Sequence, residues 1–244
     1  MPRDTGGIAR TVELLWGVST PRGTRGPRPG LSVAAITRAA LAIADAEGLG
    51  ALSMQRVAKD LGYTTMSLYN YVPSKDQLIE LMIDAATPPP PVPEEDDGWR
   101  DGVERWVRAT WDLYHAHRWV LKIPTVNAPL GPNQMAWFEA LLHALSHGGL
   151  DGAEVMAIAQ HILASTRGQA ALSIDLATGE TGTAEANQAL RRLATPERFP
   201  TLHGLIPAAE SGGFNAGAEM YAGLRLGVRL LLDGVEGHVR RGAG

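Results

Sequence analysis

The chain has 244 residues, of which 45% are hydrophobic and 20% charged, and a formal net charge of −4, values typical of a soluble globular protein with a sizeable core. The absence of cysteine excludes disulfides, thiolate nucleophiles and cysteine-ligated zinc. No run approaches the roughly 20 apolar residues of a membrane helix, and Met1–Gly17 lacks the apolar run of a secretory leader. We therefore expect a cytoplasmic protein without a membrane partner.

The charge is unevenly distributed. The first 90 residues carry nine Lys and Arg against eight Asp and Glu, which leaves +1 there and −5 in the remainder. Trp16–Ala44 contains no acidic residue and four arginines: Arg22, Arg25, Arg28 and Arg38. This distribution favours a DNA-binding head on a body with a different role.

Residues 1–30 are predicted to form a flexible basic arm. Residues 17–30, "GVSTPRGTRGPRPG", are too rich in Gly, Pro and Arg for a regular element, although the preceding "ARTVELLWG" is compatible with a short helix. The arginines Arg22, Arg25 and Arg28 either enter the minor groove of DNA or belong to a leader without a role, and the sequence favours neither alternative.

Residues 31–87 predict a series of short, capped helices. Helical periodicity extends from Val33 to about Glu47, over Met54–Leu61, over Thr65–Asn70 and from Lys75 to the following proline run. The residues suited to N-cap positions are Ser32, Ser53, Thr64 and Ser74, and Gln77 stands at the capping-box spacing from the last of these.

The segment Met54–Asn70 has the pattern of a helix-turn-helix. Ala58 permits close packing, Gly62 permits the tight turn and Leu68 is an apolar anchor for a second helix whose outer face is polar and aromatic. Such a helix can be short, because only its first turn or two must reach base edges in the major groove.

The segment "ITRAALAIADAEGLGALSMQRVAKDLGYTTMSLYNYVPSKDQLIELMIDAA", residues 36–86, resembles the DNA-binding domain of TetR-family repressors. The Leu-Gly turn, the Leu-Tyr-x-Tyr where Leu-Tyr-x-His is common, and the Ser-Lys-x-x-Leu all match. A weaker resemblance to the tetracycline-repressor-like regulatory domain covers "YHAHRWVLKIPTVNAPLGPNQMAWFEALLHALSHGGLDGAE".

The resemblance implies which residues face operator DNA. These are Gln55, Thr65, Met66, Ser67, Tyr69 and Asn70, with Tyr71 and Lys75 on phosphates. Gln55 is equally compatible with a solvated surface position, and Tyr69 and Tyr71 with core aromatics. Met66 can read only shape or a thymine methyl group, so the sequence does not disclose the operator.

Residues 88–98 are predicted to be a proline-rich and acidic linker, and residues 99–244 a ligand-binding and dimerisation domain. Helical patterns cover Gly98–His117, Trp119–Ile123, Asn133–His147, Asp151–Leu176, Ala184–Leu193 and Asn215–Val239. With no alternating strand pattern, the fold class is all-α: a three-helix helix-turn-helix head and a larger helical body.

The ligand pocket is expected among the aromatic-rich helices of the body. Its candidate lining is Trp106, Trp111, Tyr114, Trp119, Trp137 and Phe138, with His117, Gln160, His161 and Arg167 as polar contacts. Only two or three of these aromatics are expected to touch a ligand, which would be a small-molecule inducer, aromatic or polycyclic.

The resemblance also implies a homodimer, formed by the helices Asp151–Leu176 and Asn215–Val239. In the last helix Leu224, Val228, Leu231 and Val235 share one stripe, with Gly223 and Gly227 for close approach. The alternative is that this stripe fills the core of its own subunit.

Neither metal nor cofactor is expected. His143 and His147 stand at i,i+4 spacing, but no HExxH, third ligand or cysteine accompanies them. The sequence also lacks GxSxG, P-loop and dinucleotide-binding motifs, so it gives no support to an all-α enzyme.

The sequence therefore predicts a homodimeric, ligand-responsive transcriptional regulator, with a repressor favoured. Coupling between the domains is expected through the helix Lys75–Ala86. The alternative is a helical small-molecule binding protein with a vestigial DNA-binding head.

Overall fold

The computed structural model describes residues 5–18, 31–92, 97–124, 129–178, 188–189, 192–201 and 216–242. Within these ranges the protein is built from helices and turns, with no strand. The α-helices are α1 Thr5–Leu15, α2 Val33–Glu47, α3 Met54–Asp60, α4 Thr65–Tyr69, α5 Lys75–Ala86, α6 Trp99–Ala116, α7 Pro132–Ser146, α8 Gly152–Ala177 and α9 Ala216–Gly242. Short 3-10 helices occupy Leu49–Ala51 and Arg118–Lys122.

The predicted N-caps of the head are present. The side chains of Ser32, Ser53, Thr64 and Ser74 each accept a hydrogen bond from a backbone N–H in the first turn of the helix that follows. Only half of the predicted capping box forms at α5. Ser74 accepts the N–H of Gln77, but the Gln77 side-chain oxygen has no partner among the described residues, and its amide nitrogen donates to the carbonyl of Gly7 in α1.

The prediction of a flexible arm over residues 1–30 is wrong for residues 5–15, which form α1. Helix α1 packs against α5, with Thr11 and Leu14 buried on its inner face. The indole of Trp16 donates a hydrogen bond of 3.0 Å to the carbonyl of Leu130 in the body. The apolar side chains of α1 recur at helical spacing, so they lie on one face of the helix, and that face packs against α5.

The core runs through both domains. In the head α2, α3, α4 and α5 pack around fully buried side chains that include Ile36, Val57 and Leu68. In the body α6, α7, α8 and α9 pack around a second set that includes Leu141 and Ile162. Helix α5 belongs to the head and also contacts α7, so it joins the two.

Several sequence predictions lie outside the described residues. These include Arg22, Arg25 and Arg28, most of the predicted helix Ala184–Leu193, and residue 215 at the start of the last predicted helix. The linker is described only at residues 88–92 and 97–98.

Candidate DNA interface and ligand cavity

Helix α4 presents a polar and aromatic face to solvent. Leu68 is fully buried and holds the helix against the head, whereas Met66 is 71% and Tyr69 42% exposed. Gly62, at a φ of 73°, forms the turn between α3 and α4 in the left-handed region that favours glycine. The helix is therefore braced on one side and accessible on the other, as reading a groove requires.

The first turn of α4 is ordered by hydroxyl groups. The Thr64 side chain accepts the N–H of Ser67, and the two hydroxyls lie 2.9 Å apart. Thr65 and Ser67 are half-buried, and Asn70 is exposed at the end of the helix. The turn that would approach base edges therefore carries fixed hydroxyl groups.

The residues around α4 differ in how freely they could contact DNA. Lys75, the first residue of α5, and Gln55, in the first turn of α3, are both exposed. Tyr71 is half-buried and packs against the core of the head. Arg56 is paired with Glu47 at 2.7 Å and with Asp60 at 3.2 Å, so these carboxylates occupy its guanidinium.

A cavity of about 210 Å³ lies between α5, α6, α7 and α8. The predicted residues that line it are Trp106, Tyr114, Trp137, Phe138 and Arg167. The rings of Trp106 and Trp137 stand edge to face, with centroids 6.1 Å apart. Burial raises the pKa of the Tyr114 hydroxyl, and the neighbouring Arg167 opposes that shift, so the phenol is neutral at physiological pH.

The prediction that Trp111 and His117 line the pocket is wrong. Trp111 lies on another face of α6, where its ring stacks on His115 and contacts Tyr221. His117 follows the end of α6, and its Nδ1 lies 2.7 Å from the carboxylate of Asp45 in the head. Trp119 is buried but does not line the cavity, and its indole also donates to Asp45.

Gln160 and His161 were also predicted wrongly, since both are exposed on α8. Gln160 lies on the same stripe as Leu163 and Arg167, which line the cavity, but about one turn beyond it. His161 is rotated from that stripe by about 100°, the angle between successive helical residues. Periodicity predicts the stripe of a residue, not its depth along the helix.

Other lining residues were missed, among them Glu80 and Ile83 on α5, Thr87 directly after it, Thr110 on α6 and Gln134 on α7. Thr110 could have been found from the sequence, because it is a polar residue within the apolar stripe of α6. In the structure it is only 4% exposed. Because Ile83 and Glu80 line the cavity, the helix expected to couple the domains forms part of its wall.

A buried carboxylate joins the end of the head to the body. One oxygen of Asp84 accepts the backbone N–H groups of Asn133 at 2.9 Å and Gln134 at 3.0 Å, in the first turn of α7. Burial raises the pKa of Asp84, and these two hydrogen bonds partly offset the shift. Gly131 permits the approach, since a Cβ there would collide with the Asp84 carboxylate.

The stripe predicted for dimerisation faces the wrong way. Leu224, Val228 and Val235 are at most 5% exposed and Leu231 is half-buried, all packed within their own subunit, as the alternative held. The helices α8 and α9 instead leave an exposed surface of small and apolar residues, here called the small-residue face: Ala157, Ala164, Gly168, Gly223, Leu226, Gly227, Leu230 and Gly234.

The histidine pair is part of the surface of α7. The rings of His143 and His147 lie 4.6 Å apart, and His147 Nδ1 is 2.8 Å from the carbonyl of His143. Among the described residues no group of three or more His, Asp and Glu side chains is arranged to hold a metal ion. In those same ranges no helix is long and apolar enough to cross a membrane.

A helix-turn-helix head attached to a helical body with a lined cavity defines a ligand-responsive transcriptional regulator. Residues 36–82 match the family described as bacterial regulatory proteins, tetR family. Residues 91–239 match the tetracyclin repressor-like C-terminal domain. The chain therefore belongs to the TetR family, and its function is regulatory, not enzymatic.

The relatives agree in sequence and in fold. The chain is 35% identical, over 95% of its length and 87% of the relative's, to the HTH-type transcriptional repressor DrrR1 of Streptomyces coeruleorubidus. The crystal structure of apo ActR from Streptomyces coelicolor superposes with a TM-score of 0.71 at 27% identity, covering 88% of this chain and all of that one. ActR in complex with actinorhodin gives a TM-score of 0.71 at 29% identity, covering 87% of this chain and all of that one.

Proposed function

We propose that this protein is a repressor that binds operator DNA as a homodimer and is released when a small molecule occupies the cavity. The observation that carries the proposal is the geometry of α4, in which a fully buried Leu68 supports an exposed Met66 and Tyr69. A repressor of this kind acts in the cytoplasm, where its operator DNA lies.

This geometry supports the following DNA contacts. Thr65, Met66 and Ser67 approach base edges, while Tyr69, Asn70 and Gln55 complete the surface. Lys75 contacts a phosphate beside the N-terminus of α5, where the positive end of the helix dipole adds to its charge. Tyr71 is half-buried, so only its hydroxyl would reach a phosphate.

The small-residue face supports dimerisation. Two copies packed on this face would form a bundle of α8 and α9 from each subunit. A symmetric dimer presents two α4 helices, and operator half-sites are read when these lie about 34–36 Å apart, one turn of duplex.

The cavity supports an aromatic or polycyclic inducer. Its wall combines the rings of Trp106, Trp137 and Phe138 with aliphatic side chains, which favours a flat apolar ligand. ActR, a fold neighbour, has been crystallised with actinorhodin. Binding would favour a conformation whose half-site spacing no longer fits the operator.

A DNA-binding titration tests the proposal. Double-stranded DNA flanking the protein's own coding region should form a sequence-dependent complex that weakens as salt increases. Lys75→Ala removes one phosphate contact in each subunit of the dimer, so it should weaken the complex at least about five- to tenfold and lower the salt slope by about 2. Tyr69→Ala should weaken the complex about tenfold. Lys122→Ala is the matched control, because Lys122 is an exposed lysine of the body.

The arm is tested by replacing Arg22, Arg25 and Arg28 with alanine. Deleting residues 1–30 would also remove α1, which packs on α5, so substitution is the cleaner change. A smaller salt slope would support contact between the arm and DNA. If the wild-type protein forms no sequence-dependent complex, the proposal fails in favour of a small-molecule binding protein with a vestigial head.

A further inference from the structure

Helix α1 is docked on the head, although it lies before both ranges that match the family, residues 36–82 and 91–239. Its inner face buries Thr11 and Leu14. The carbonyl of Gly7 accepts a hydrogen bond of 3.3 Å from the side-chain amide of Gln77, near the start of α5. The family to which the chain belongs therefore does not account for this helix.

The end of α1 is fixed by a Schellman motif. The N–H of Val18 donates to the carbonyl of Glu13 at 2.9 Å, and the N–H of Gly17 donates to the carbonyl of Leu14 at 3.2 Å. These two bonds end the helix directly before Trp16, so the indole of Trp16 is held at a defined position beside the body.

Trp16 and α1 hold two parts of the cavity wall together. The Trp16 indole donates at 3.0 Å to the carbonyl of Leu130, and the preceding residue, Pro129, lines the cavity. Helix α5, on which α1 packs, supplies Ile83 to the same wall. Separation of α5 from residues 129–131 would therefore break the Trp16 hydrogen bond or lift α1 from α5.

The cavity is small for a polycyclic inducer. Its volume is about 210 Å³, whereas pockets for drug-sized ligands usually enclose about 300–1,000 Å³. Protein interiors are closely packed, so a molecule of several fused rings can enter only if the walls move apart. Because α5 belongs to the head and also forms part of the wall, such a movement would shift the head as well.

We propose that α1 is a strap that holds the cavity in this contracted state, and that an inducer must release Trp16 from Leu130 to expand it. This inference rests on the proposed function, because it concerns the regulation of the same cavity. The contracted state is then the one that binds operator DNA, and the strap sets how much inducer is needed to leave that state.

The Trp16 hydrogen bond is suited to release. Trp16 is 49% exposed, so water can replace both partners when the bond opens. Asp84 joins the same walls, but its carboxylate is buried, and opening there would leave the N–H groups of Asn133 and Gln134 without their acceptor. The strap therefore adds a contact that can open to a junction that stays closed.

A substitution that loosens the strap tests the proposal. Trp16→Phe removes the indole N–H and keeps an aromatic ring. Val18→Ala is the matched control, because Val18 lies two residues further along and its side chain is 73% exposed. The probe is 1-aminoanthracene, a neutral planar molecule whose fluorescence increases in apolar surroundings. Trp16→Phe should bind it about three- to tenfold more tightly than the wild-type protein and Val18→Ala do, because the contracted state has lost one hydrogen bond.

The opposite change locks the strap. The chain has no cysteine, so Trp16→Cys/Leu130→Cys introduces one pair of thiols in each subunit, which a short, cleavable bis-maleimide can bridge. The bridged form should bind 1-aminoanthracene about tenfold more weakly than the same double variant before bridging, because the walls can no longer separate. Cleavage of the bridge should restore the affinity.

The strap should also set the response on DNA. The concentration of 1-aminoanthracene that dissociates half of the operator complex should fall in Trp16→Phe by about the same factor as the probe affinity rises, and it should increase in the bridged form. Operator affinity without the probe should stay within about twofold of the wild-type value, because the contracted state already predominates there.

Equal probe affinity in Trp16→Phe and the wild-type protein would overturn the inference, even if the variant melted at a lower temperature, since α1 would then be only structural. Equal affinity before and after bridging, or no binding in any form, would overturn it too. So would binding that is insensitive to Phe138→Trp, a larger side chain in the cavity wall, because the strap would then open a different site. If the wild-type protein forms no operator complex, the regulatory function fails, whereas the probe affinities still decide whether the strap controls the cavity.

Discussion

Asp84 shows how a single side chain fixes the junction between head and body. Its carboxylate accepts two backbone N–H groups from the first turn of α7, where those groups have no partner within the helix. The side-chain amide of Asn133 returns a hydrogen bond of 3.0 Å to the backbone carbonyl of Asp84. Helix α7 is therefore capped by a residue almost fifty positions earlier in the chain.

Replacing Asp84 separates its acceptor role from its charge. Asp84→Ala should lower the free energy of unfolding by about 1–3 kcal/mol, because two buried N–H groups lose their acceptor. Asp84→Asn keeps an oxygen acceptor and should cost less. Urea denaturation followed by circular dichroism measures both, and equal losses would contradict the capping role.

The raised pKa of Asp84 predicts how the difference in stability between the wild-type protein and Asp84→Asn depends on pH. A raised pKa means that the folded protein takes up this proton at a higher pH than the unfolded chain, whose reference value is 3.8. Relative to Asp84→Asn, the wild-type protein should gain stability as pH falls through the folded pKa and lose that gain as pH rises. An opposite slope between about pH 7 and pH 4 would contradict the effect of burial.

Among the elements, the 3-10 helix Arg118–Lys122 lies between the cavity and the head. Val120 and Ile123 line the cavity, and Arg167 holds their carbonyls. On its other side the Trp119 indole donates to Asp45 at 2.6 Å, beside His117. This segment therefore provides a second connection to the head, parallel to α5.

Asp45→Ala should weaken the coupling between ligand and DNA. The coupling is measured as the ratio of inducer affinities with and without operator DNA, and we expect it to fall about fivefold while inducer affinity without DNA stays unchanged. Asp175→Ala is the matched control, because Asp175 pairs with Lys122 of the same segment from the body. A ratio that is unchanged, or that both variants alter equally, would exclude this route.

The helices and the cavity also show which features could be predicted from the sequence. Local chemistry predicted the capped helices and the exposed face of α4, because Ser, Thr and Gly act on neighbouring residues. The cavity was predicted only in part, because the positions of Gln160 and Trp111 depend on where helices end and cross. The role of Asp84 could not be predicted, because it depends on a contact between distant parts of the chain.

At the scale of the whole molecule, the small-residue face decides the assembly. Leu226 and Leu230 are 60% and 62% exposed on α9. A Cβ at Gly223, Gly227 or Gly234 would meet no atom within 4 Å in the part of the subunit that the structure describes. Among the described residues of one subunit no contact requires these glycines, and glycine destabilises a helix by about 1 kcal/mol relative to alanine. Close approach of a second helix gives them a role.

Ala164→Glu tests the assembly and its link to DNA binding. Ala164 lies in the small-residue face, and Ala42→Glu is the matched control, an exposed helical alanine of the head. A dimer would bury two carboxylates in the first variant, so its dissociation constant should rise by about 100-fold, two factors of ten at about 1.4 kcal/mol each. Sedimentation equilibrium measures this, and circular dichroism should show both variants folded.

Operator binding should follow the dimer. A monomer contacts one half-site and loses the second set of contacts, so Ala164→Glu should weaken operator binding. The recognition helix should stay intact, because α4 packs on α3 in the head whereas α8 packs on α6, α7 and α9 in the body. Restoring the complex at high protein concentration would show that the loss is one of assembly. If Ala164→Glu remains dimeric and binds operator DNA as Ala42→Glu does, α8 and α9 do not form the interface and the symmetric arrangement of the two heads must be built from another surface.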